Sequence, residues 1–256
     1  MTPKRVTART PIVPLLSEPR AAASQVNQLL YGHSALVLDR QDNWLKVRGG
    51  DGYEGWAHQG YLEAASPDGE LPWMWGEDVD LSMGCSIRDE KGATLDLPLG
   101  AVVRGRPLAG RSMDLEMRKK TFPPASEAIV ASASGFFQGS YYQWGGITPW
   151  GADCSGMIQT VFALHGIRLQ RDASQQATQG IAVDGGIDGT EAGDLLFFSE
   201  REEGSITHVA LSMGGSRVVH AAIGRGGHCL EDLNRPDDYG RALISRFRFA
   251  RRIPLS

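Results

Sequence analysis

The sequence predicts an α+β domain at the carboxyl end, preceded by two small all-β barrels. Short alternating apolar runs separated by turn residues fill residues 11–65, and a weaker pattern of the same kind fills residues 70–120. After these stretches, two runs with helical spacing are followed by several strand-like runs. The expected domains are 1–65 and 66–122 for the barrels and 123–256 for the α+β domain.

The first barrel is predicted from three short strands, at residues 35–39, 44–48 and 53–57. The second of these alternates between apolar and basic residues, which is typical of a half-buried strand. Residues 49–52 read Gly-Gly-Asp-Gly and supply turn chemistry before the third strand. Residues 66–69 read Ser-Pro-Asp-Gly, and this composition indicates a linker to the second barrel.

The second barrel is predicted from a weaker signal. Residues 92–103 alternate only partly, and Pro98 and Gly100 interrupt them. Phe-Pro-Pro at residues 122–124 then marks a boundary, because consecutive prolines disfavour both helix and sheet. We therefore expect the α+β domain to begin here.

The α+β domain is predicted from two helices and a set of strands. Ser126 is the expected N-cap of a helix over residues 127–137. Residues 154–165 carry apolar side chains at helical spacing, and Gly166 is placed to end that helix. Strand-like runs follow at residues 194–198, 208–213, 217–221 and 247–250. Helices followed by consecutive strands of antiparallel type are typical of an α+β fold.

Composition excludes several classes of function. The chain has 256 residues and a net charge of -4, without a basic stripe, so no nucleic-acid partner is expected. An apolar run of about 18 residues, which a membrane helix needs, is missing, so no membrane partner is expected. Cys85 and Cys229 lack metal-ligand spacing with the histidines, and no cofactor is implied. No export signal is visible, so a cytoplasmic location is expected, with export left open if a leader has been removed.

Cys154 is the candidate nucleophile. It stands just before a helical pattern, where the helix dipole and free N–H groups favour the thiolate and can stabilise an oxyanion. His208 opens a strand-like run and is the candidate base, and His220 lies 12 residues further along. Gly-Gly-Ser at residues 214–216 predicts a hairpin that brings His220 to the second ring nitrogen of His208. Taken alone, each residue also fits a non-catalytic role. The cysteine could be a small buried hydrophobic residue, and each histidine could be structural.

In combination, these motifs resemble those of the NlpC/P60 peptidases, a papain-like family that cleaves bacterial cell-wall peptides. The resemblance covers residues 125–254. The matching motifs are Tyr-Gln-Trp-Gly-Gly at 142–146, Asp-Cys-Ser-Gly at 153–156, Arg-Asp-Ala-Ser-Gln-Gln at 171–176, Ala-Gly-Asp-Leu-Leu-Phe-Phe at 192–198, Thr-His-Val-Ala-Leu at 207–211 and Val-His-Ala at 219–221.

The resemblance implies a role for each member of the candidate triad. Cys154 is the implied nucleophile, His208 the general base and acid, and His220 the residue that orients His208. The implied fold is a papain-like NlpC/P60 domain of α+β class. The two preceding stretches resemble bacterial SH3 domains, through Leu-Tyr-Gly at residues 30–32 and Gly-Trp-Ala at residues 55–57. The predicted fold is thus an NlpC/P60 domain preceded by two SH3-like barrels.

This combination is similar to the γ-D-glutamyl-L-diamino acid endopeptidases, which act on peptidoglycan stem peptides with a free N-terminal L-Ala. The implied setting is murein peptide recycling. Tyr53 and Asp172 are the candidate contacts to the substrate amine, Tyr142 to the scissile carbonyl, and Asp153 and Ser155 to the γ-glutamyl group. The alternatives are a barrel aromatic for Tyr53, a helix cap for Asp172 and local hydrogen bonding for Asp153 and Ser155.

Two positions depart from the family pattern. His33 stands where relatives tend to carry Glu, so an anionic contact to the amine is absent or replaced, with Glu54 as a candidate replacement. Ala173 stands where they often carry Ser, which removes a hydroxyl contact. Both departures bear on the free-amine requirement more than on peptidase activity.

Three other functions stay open at this point. The chain could be a secreted hydrolase of polymeric peptidoglycan or a non-catalytic wall-binding module, because SH3 domains bind and the peptidase fold can be vestigial. An acyltransferase would use the same thiol chemistry. The intact set of Cys154, His208 and His220 argues against the binding module.

Overall fold

The structure, a computed structural model, describes residues 4–66, 71, 73–74, 79–103, 105–200 and 205–255. The predicted linker at residues 66–69 lies almost wholly outside these residues. Contacts divide the chain into two units. The N-terminal unit holds the described residues up to Thr121 together with Trp144–Gly146, and the C-terminal unit holds Phe122–Gln143 and the described residues from Ile147 onward.

The N-terminal unit begins with a curled antiparallel sheet of seven strands, in the order β3-β2-β6-β5-β4-β1-β7. Its alternating side chains point to one interior, which Val13, Leu29 and Val47 fill without measurable exposure. The three strands predicted here are present. The strands are β1 (Arg5–Ala8), β2 (Ile12–Leu16), β3 (Gln25–Leu30), β4 (Ser34–Gln41), β5 (Trp44–Gly49), β6 (Glu54–His58) and β7 (Leu62–Ala64), with a 3₁₀ turn at Gln59–Tyr61 between the last two.

A second, smaller antiparallel sheet follows in the same unit. Its long strand pairs with the three others. Gly100, with φ near +88°, adopts a left-handed conformation that glycine tolerates, which explains why the predicted run over 92–103 divides into two strands. The elements are β8 (Asp80–Arg88), β9 (Thr94–Leu97), β10 (Val102–Val103), β11 (Ala109–Met113) and helix α1 (Leu115–Thr121).

His33 is a fully buried histidine in the N-terminal unit. Its Nε2 lies 2.9 Å from the carbonyl oxygen of Gly100, so Nε2 carries the proton and donates. Burial lowers the pKa of His33 to about 4. The side chain therefore holds two parts of the unit together as a neutral hydrogen-bond donor, and it is not available to replace the glutamate of the family pattern.

We expect acid to destabilise the protein partly through His33. Below pH 6.5 the unfolded chain takes up a proton at this residue, whereas the folded chain does not until pH approaches 4. Stability is thus lost as pH falls, by roughly 2 kcal/mol between pH 7 and pH 5. Urea titrations at the two pH values should show a smaller loss in His33→Gln, which keeps a donor but cannot titrate. An equal loss in both proteins would contradict this explanation.

The C-terminal unit is built on an antiparallel sheet of six strands in the order β14-β19-β15-β16-β17-β18. The four predicted strands form its centre. The elements in chain order are α2 (Ser126–Phe136), β12 (Ile147–Thr148), β13 (Gly151–Ala152), α3 (Cys154–Leu164), α4 (Ala173–Gln176), β14 (Ile181–Val183), β15 (Leu195–Phe198), β16 (His208–Ser212), β17 (Arg217–Ala222), a 3₁₀ turn at Ile223–Arg225, β18 (Gly227–Asp232), α5 (Asp238–Ser245) and β19 (Phe247–Arg252).

Helix α3 is the central helix of this unit, and every one of its residues is buried. It packs against β16, β17, β12 and α2. Two of its polar side chains donate inside the core: Thr160 to the carbonyl of Ile147 at 2.7 Å and Gln159 to that of Leu169 at 3.2 Å. The helix ends as predicted, before Gly166 in a left-handed conformation.

One predicted helix boundary is wrong. Ser126 is the first residue of α2, and the N-cap is Ala125, whose side chain can make no capping hydrogen bond. Hydroxyl residues favour the N-cap position, which is why the sequence predicts Ser126 there, but the chain enters the helix one residue earlier.

No helix among the described residues has the length and apolar character that crossing a membrane would require.

Candidate active site

Cys154 is the first residue of α3, and the residue before it caps the helix. Asp153 has extended backbone angles, and its Oδ1 accepts the N–H of Gly156 at 2.7 Å. The thiol is buried, at 5% exposure. Backbone N–H groups of Val209 and Ser155 donate to the sulfur. Because Val209 directly follows His208, the sulfur lies against the first residues of β16.

His208 and His220 meet as predicted. They lie on β16 and β17, which form an antiparallel hairpin pairing Leu211 with Val219. In this register His208 is diagonal to His220, a separation that two rings can span. His208 Nε2 is 2.7 Å from His220 Nδ1. His220 is fully buried and His208 half-buried, with its ring against Phe198 at 5.7 Å.

The protonation state of this group differs from the expectation of an ionised thiol. Burial raises the pKa of the Cys154 thiol to about 12, and the negative charge of Asp153 adds to the effect. Burial also lowers the pKa of His208 to about 3, with repulsion from His220 and Arg246 contributing. The two N–H donors and Arg171 act in the opposite direction at the sulfur without overcoming burial. At rest the site therefore holds a neutral thiol and a neutral imidazole.

Asp153 and Ser155 take part in a buried network at the start of α3. The guanidinium of Arg171 donates to both carboxylate oxygens of Asp153, at 2.6 and 3.0 Å, and to Oγ of Ser155 at 3.0 Å. Ser155 donates in turn to Asp153 at 3.2 Å. Asp153 is 7% exposed and Ser155 5%. The local hydrogen bonding offered as the alternative for these two residues is present, and contact with a substrate stays a prediction.

Tyr142 lies close to the charged side chains of Asp153 and Arg171. The pKa of Tyr142 is raised mainly by burial, and the neighbouring Cys154 and the Asp153 carboxylate raise it further. The phenol therefore keeps its proton and can donate a hydrogen bond near the sulfur. A parallel bridge to Ala152 fixes the backbone of Tyr142 next to the segment that leads into α3.

Asp172 precedes α4 and is half-buried. It forms a capping box with Gln175, whose Oε1 accepts the N–H of Asp172 at 3.1 Å. This is the capping role weighed as the alternative. Gln176 anchors the segment to α3, because its Nε2 donates to the carbonyl of Ser155 at 3.1 Å. The segment that carries Asp172 is therefore attached to the first turn of the nucleophile helix.

Tyr53 and Glu54 lie in the N-terminal unit, at the start of β6. Tyr53 is half-buried in the turn before this strand, and its N–H donates a hydrogen bond to Oδ1 of Asp51 at 3.0 Å. Glu54 pairs with Arg48 at 2.5 Å and Lys46 at 3.1 Å, so its charge is already matched within the barrel. A role for either residue at the substrate amine stays a prediction.

Sequence reasoning missed two kinds of residue near the triad. Arg171 belongs to the motif at residues 171–176, but its ion pair with Asp153 lies 18 residues away in sequence, so the chain carries no local signal for it. Glu231 and Arg225 gave no signal, because their approach to His220 depends on the register of β17 and β18. In that register His220 faces Cys229, and Glu231 is the diagonal neighbour.

Known proteins resemble both parts of the chain. A family model described as NlpC/P60 family matches residues 139–236, and one described as bacterial SH3 domain matches residues 13–63. The gamma-D-glutamyl-L-lysine dipeptidyl-peptidase of Bacillus subtilis (strain 168) is 31% identical over 217 residues, which span 76% of this chain and 71% of that protein. The chain belongs to the NlpC/P60 family. NlpC/P60 members are cysteine peptidases, and the protein is thus an enzyme of this class.

Two further known proteins resemble most of the chain. Dipeptidyl-peptidase 6 of Lysinibacillus sphaericus is 27% identical over 242 residues, spanning 82% of this chain and 84% of that protein. An NlpC/P60 family protein of Bacillus cereus with a known crystal structure aligns at a TM-score of 0.78 and 20% identity, over 98% of this chain and 100% of that one. The predicted fold class, a papain-like α+β domain after an all-β SH3-like region, is confirmed. The domain boundaries stay predictions.

Proposed function

We propose that the protein cleaves the bond between γ-D-Glu and the diamino acid of peptidoglycan stem peptides that carry a free N-terminal L-Ala. The names of the relatives support this substrate, since a gamma-D-glutamyl-L-lysine dipeptidyl-peptidase acts at that bond and releases an N-terminal dipeptide. The setting we propose is murein peptide recycling in the cytoplasm.

A single arrangement of side chains carries the proposal. Cys154 is the first residue of α3, and its sulfur accepts a hydrogen bond from the N–H of Val209. The residue before Val209, His208, is hydrogen-bonded to His220 at 2.7 Å. A nucleophile, a base and a residue that orients the base are the parts that covalent peptidase chemistry requires. In our assignment these are Cys154, His208 and His220.

Acylation begins with a proton transfer, because the resting thiol is neutral. His208 takes the proton from Cys154 as the sulfur attacks the γ-carbonyl carbon of D-Glu. The phenol of Tyr142, which keeps its proton, donates to the developing oxyanion. His208 then gives its proton to the departing amine of the diamino acid. A thioester to the γ-glutamyl group remains, and water activated by His208 hydrolyses it.

The free-amine preference rests mainly on Asp172. Its half-buried carboxylate is next to Arg171 and is attached through α4 to the nucleophile helix. An ammonium placed against such a carboxylate gains a charge-assisted hydrogen bond, whereas an N-acetyl group would not. Because His33 is buried and Glu54 is already paired, neither adds clear support for a second anion at the amine.

We expect the protein to cleave L-Ala-γ-D-Glu-diaminopimelate and to leave the N-acetylated peptide intact. The lost ammonium contact and the added bulk should lower kcat/KM by at least about 100-fold. Chromatography with mass detection of the released Ala-Glu dipeptide measures both rates. Equal cleavage of the two peptides would remove the free-amine requirement, and release of fragments from intact sacculi would indicate a hydrolase of polymeric peptidoglycan.

A further inference from the structure

The hydrogen bond between His208 and His220 can form in two ways, because either imidazole can supply the proton. Which one does so decides whether His208 is a base. If Nε2 of His208 carries the proton, its Nδ1 has a free lone pair that can accept the thiol proton. If Nδ1 of His220 carries the proton, the proton on His208 moves to Nδ1 and no such lone pair remains.

The other nitrogen of His220 supplies the deciding observation. Its Nε2 is fully buried and has no hydrogen-bond partner among the described residues. It lies 3.9 Å from Oε1 of Glu231, which is only 9% exposed. The approach follows from the sheet, since His220 on β17 and Glu231 on β18 are diagonal neighbours.

Glu231 is held in place as an anion. Arg225 donates to both of its oxygens, at 2.6 and 3.0 Å. The same guanidinium reaches Asp237 at 2.8 Å and lies over the ring of Tyr239, 4.5 Å from its centre. His220 and then Arg225 lower the pKa of Glu231 to about 2, with burial acting against them. The carboxylate is therefore ionised throughout the neutral pH range.

We infer that Glu231 is a positioning residue that fixes the tautomer of His220 and, through it, the proton on His208. A lone pair on Nε2 of His220 would face an ionised carboxylate and be repelled, so Nε2 carries the proton. His220 then accepts at Nδ1, His208 donates from Nε2, and Nδ1 of His208 is free. This inference rests on the proposed roles of Cys154 and His208.

The distance of 3.9 Å is long for a direct hydrogen bond. A movement of about 1 Å at the carboxylate oxygen would close it, and such contacts commonly tighten when substrate binds. The ionised carboxylate also stabilises the positive charge that forms on His208 during acylation, because an anion behind His220 attracts that charge electrostatically. Glu231 thus acts on the reaction without touching the substrate.

His220 and Glu231, together with Cys229, also have the residue types of a metal site. The ligand atoms of His220, Cys229 and Glu231 lie within 4.8 Å of one another. However, both oxygens of Glu231 already accept hydrogen bonds from Arg225. A metal cation bound here would therefore be repelled by the positive guanidinium. The Cys229 thiol, moreover, donates to the carbonyl of His220 at 3.7 Å, and its raised pKa of about 12 keeps it neutral. We therefore assign the carboxylate to His220.

The kinetic test is Glu231→Gln, which keeps the shape of the side chain and removes its charge. We expect kcat for cleavage of L-Ala-γ-D-Glu-diaminopimelate to fall roughly 10- to 100-fold, while KM changes less than about threefold, because the lost interaction acts on the transition state. The matched control is Asp237→Asn. It removes the other carboxylate on Arg225 and keeps the cap of α5, so kcat should stay within about twofold of the wild type.

The structural test uses the wild-type protein and needs no substrate. Nitrogen-15 NMR of labelled histidine distinguishes a proton on Nε2 from one on Nδ1. We expect His220 to carry it on Nε2, and Glu231→Gln to produce a mixture of tautomers. A wild-type proton on Nδ1, or a Glu231→Gln kcat within twofold of wild type, would overturn the inference. If wild-type protein fails to cleave the peptide, the proposed function falls, and the NMR result still decides the tautomer.

Discussion

Cys154→Ala is expected to reduce peptide cleavage by at least roughly 10⁴-fold, because no other group can form the thioester. The fold should survive, since alanine is a good helix former and Asp153 continues to cap α3 through the N–H of Gly156. Initial rates on the tripeptide substrate measure the loss, and thermal unfolding checks the fold.

Cys85→Ala is the matched control for this experiment. Cys85 is as buried as Cys154, at 5% exposure, but it lies on β8 in the N-terminal unit. The two variants therefore lose the same atom from equally buried positions, and only one should lose activity. Cleavage that persists in Cys154→Ala would show that the nucleophile has been misassigned.

His208→Ala is expected to lower kcat by roughly 10³- to 10⁴-fold. The reason is the neutral resting thiol: with a pKa near 12, only about one sulfur in 10⁵ is ionised at pH 7 unless a base removes the proton. The remaining activity should rise about tenfold for each unit of pH, as hydroxide ionises the thiol directly. A pH series of kcat for the variant and the wild type measures this dependence.

His220→Ala should have a smaller effect than His208→Ala, about 10- to 100-fold in kcat, and without the steep rise with pH. His220 orients the base and does not itself exchange a proton with substrate. If the loss in His220→Ala exceeded that in His208→Ala in correctly folded proteins, the two roles would be assigned in the wrong order.

The sequence predicted those parts of the fold whose pattern is local. Residues 154–165 show helical spacing with a terminal glycine, and the strands that became β15, β16 and β17 are continuous apolar runs. The cap of α2 was missed by one residue, because Ser126 offers a hydroxyl that the helix does not use. Strand β18 and helix α5 were not predicted, since their sequences are mixed in polarity and their stability comes from packing on neighbours.

The part of the candidate site that lies on a hairpin was predictable from the sequence. Gly-Gly-Ser at residues 214–216 fixed the turn, and the turn placed His208 beside His220. Two properties could not be read from the chain. The protonation of Cys154 depends on burial, which opposes the helix dipole, and the position of Glu231 depends on a register between strands that only the folded sheet defines.

The neutral state of Cys154 has a consequence for chemical durability. Peroxides and other electrophiles oxidise thiolates far faster than thiols, and the first step toward sulfenic acid needs the ionised sulfur. A buried thiol whose pKa is raised to about 12 exposes little thiolate at neutral pH. We therefore expect the resting enzyme to lose activity to peroxide more slowly than an enzyme whose nucleophilic cysteine is ionised at rest.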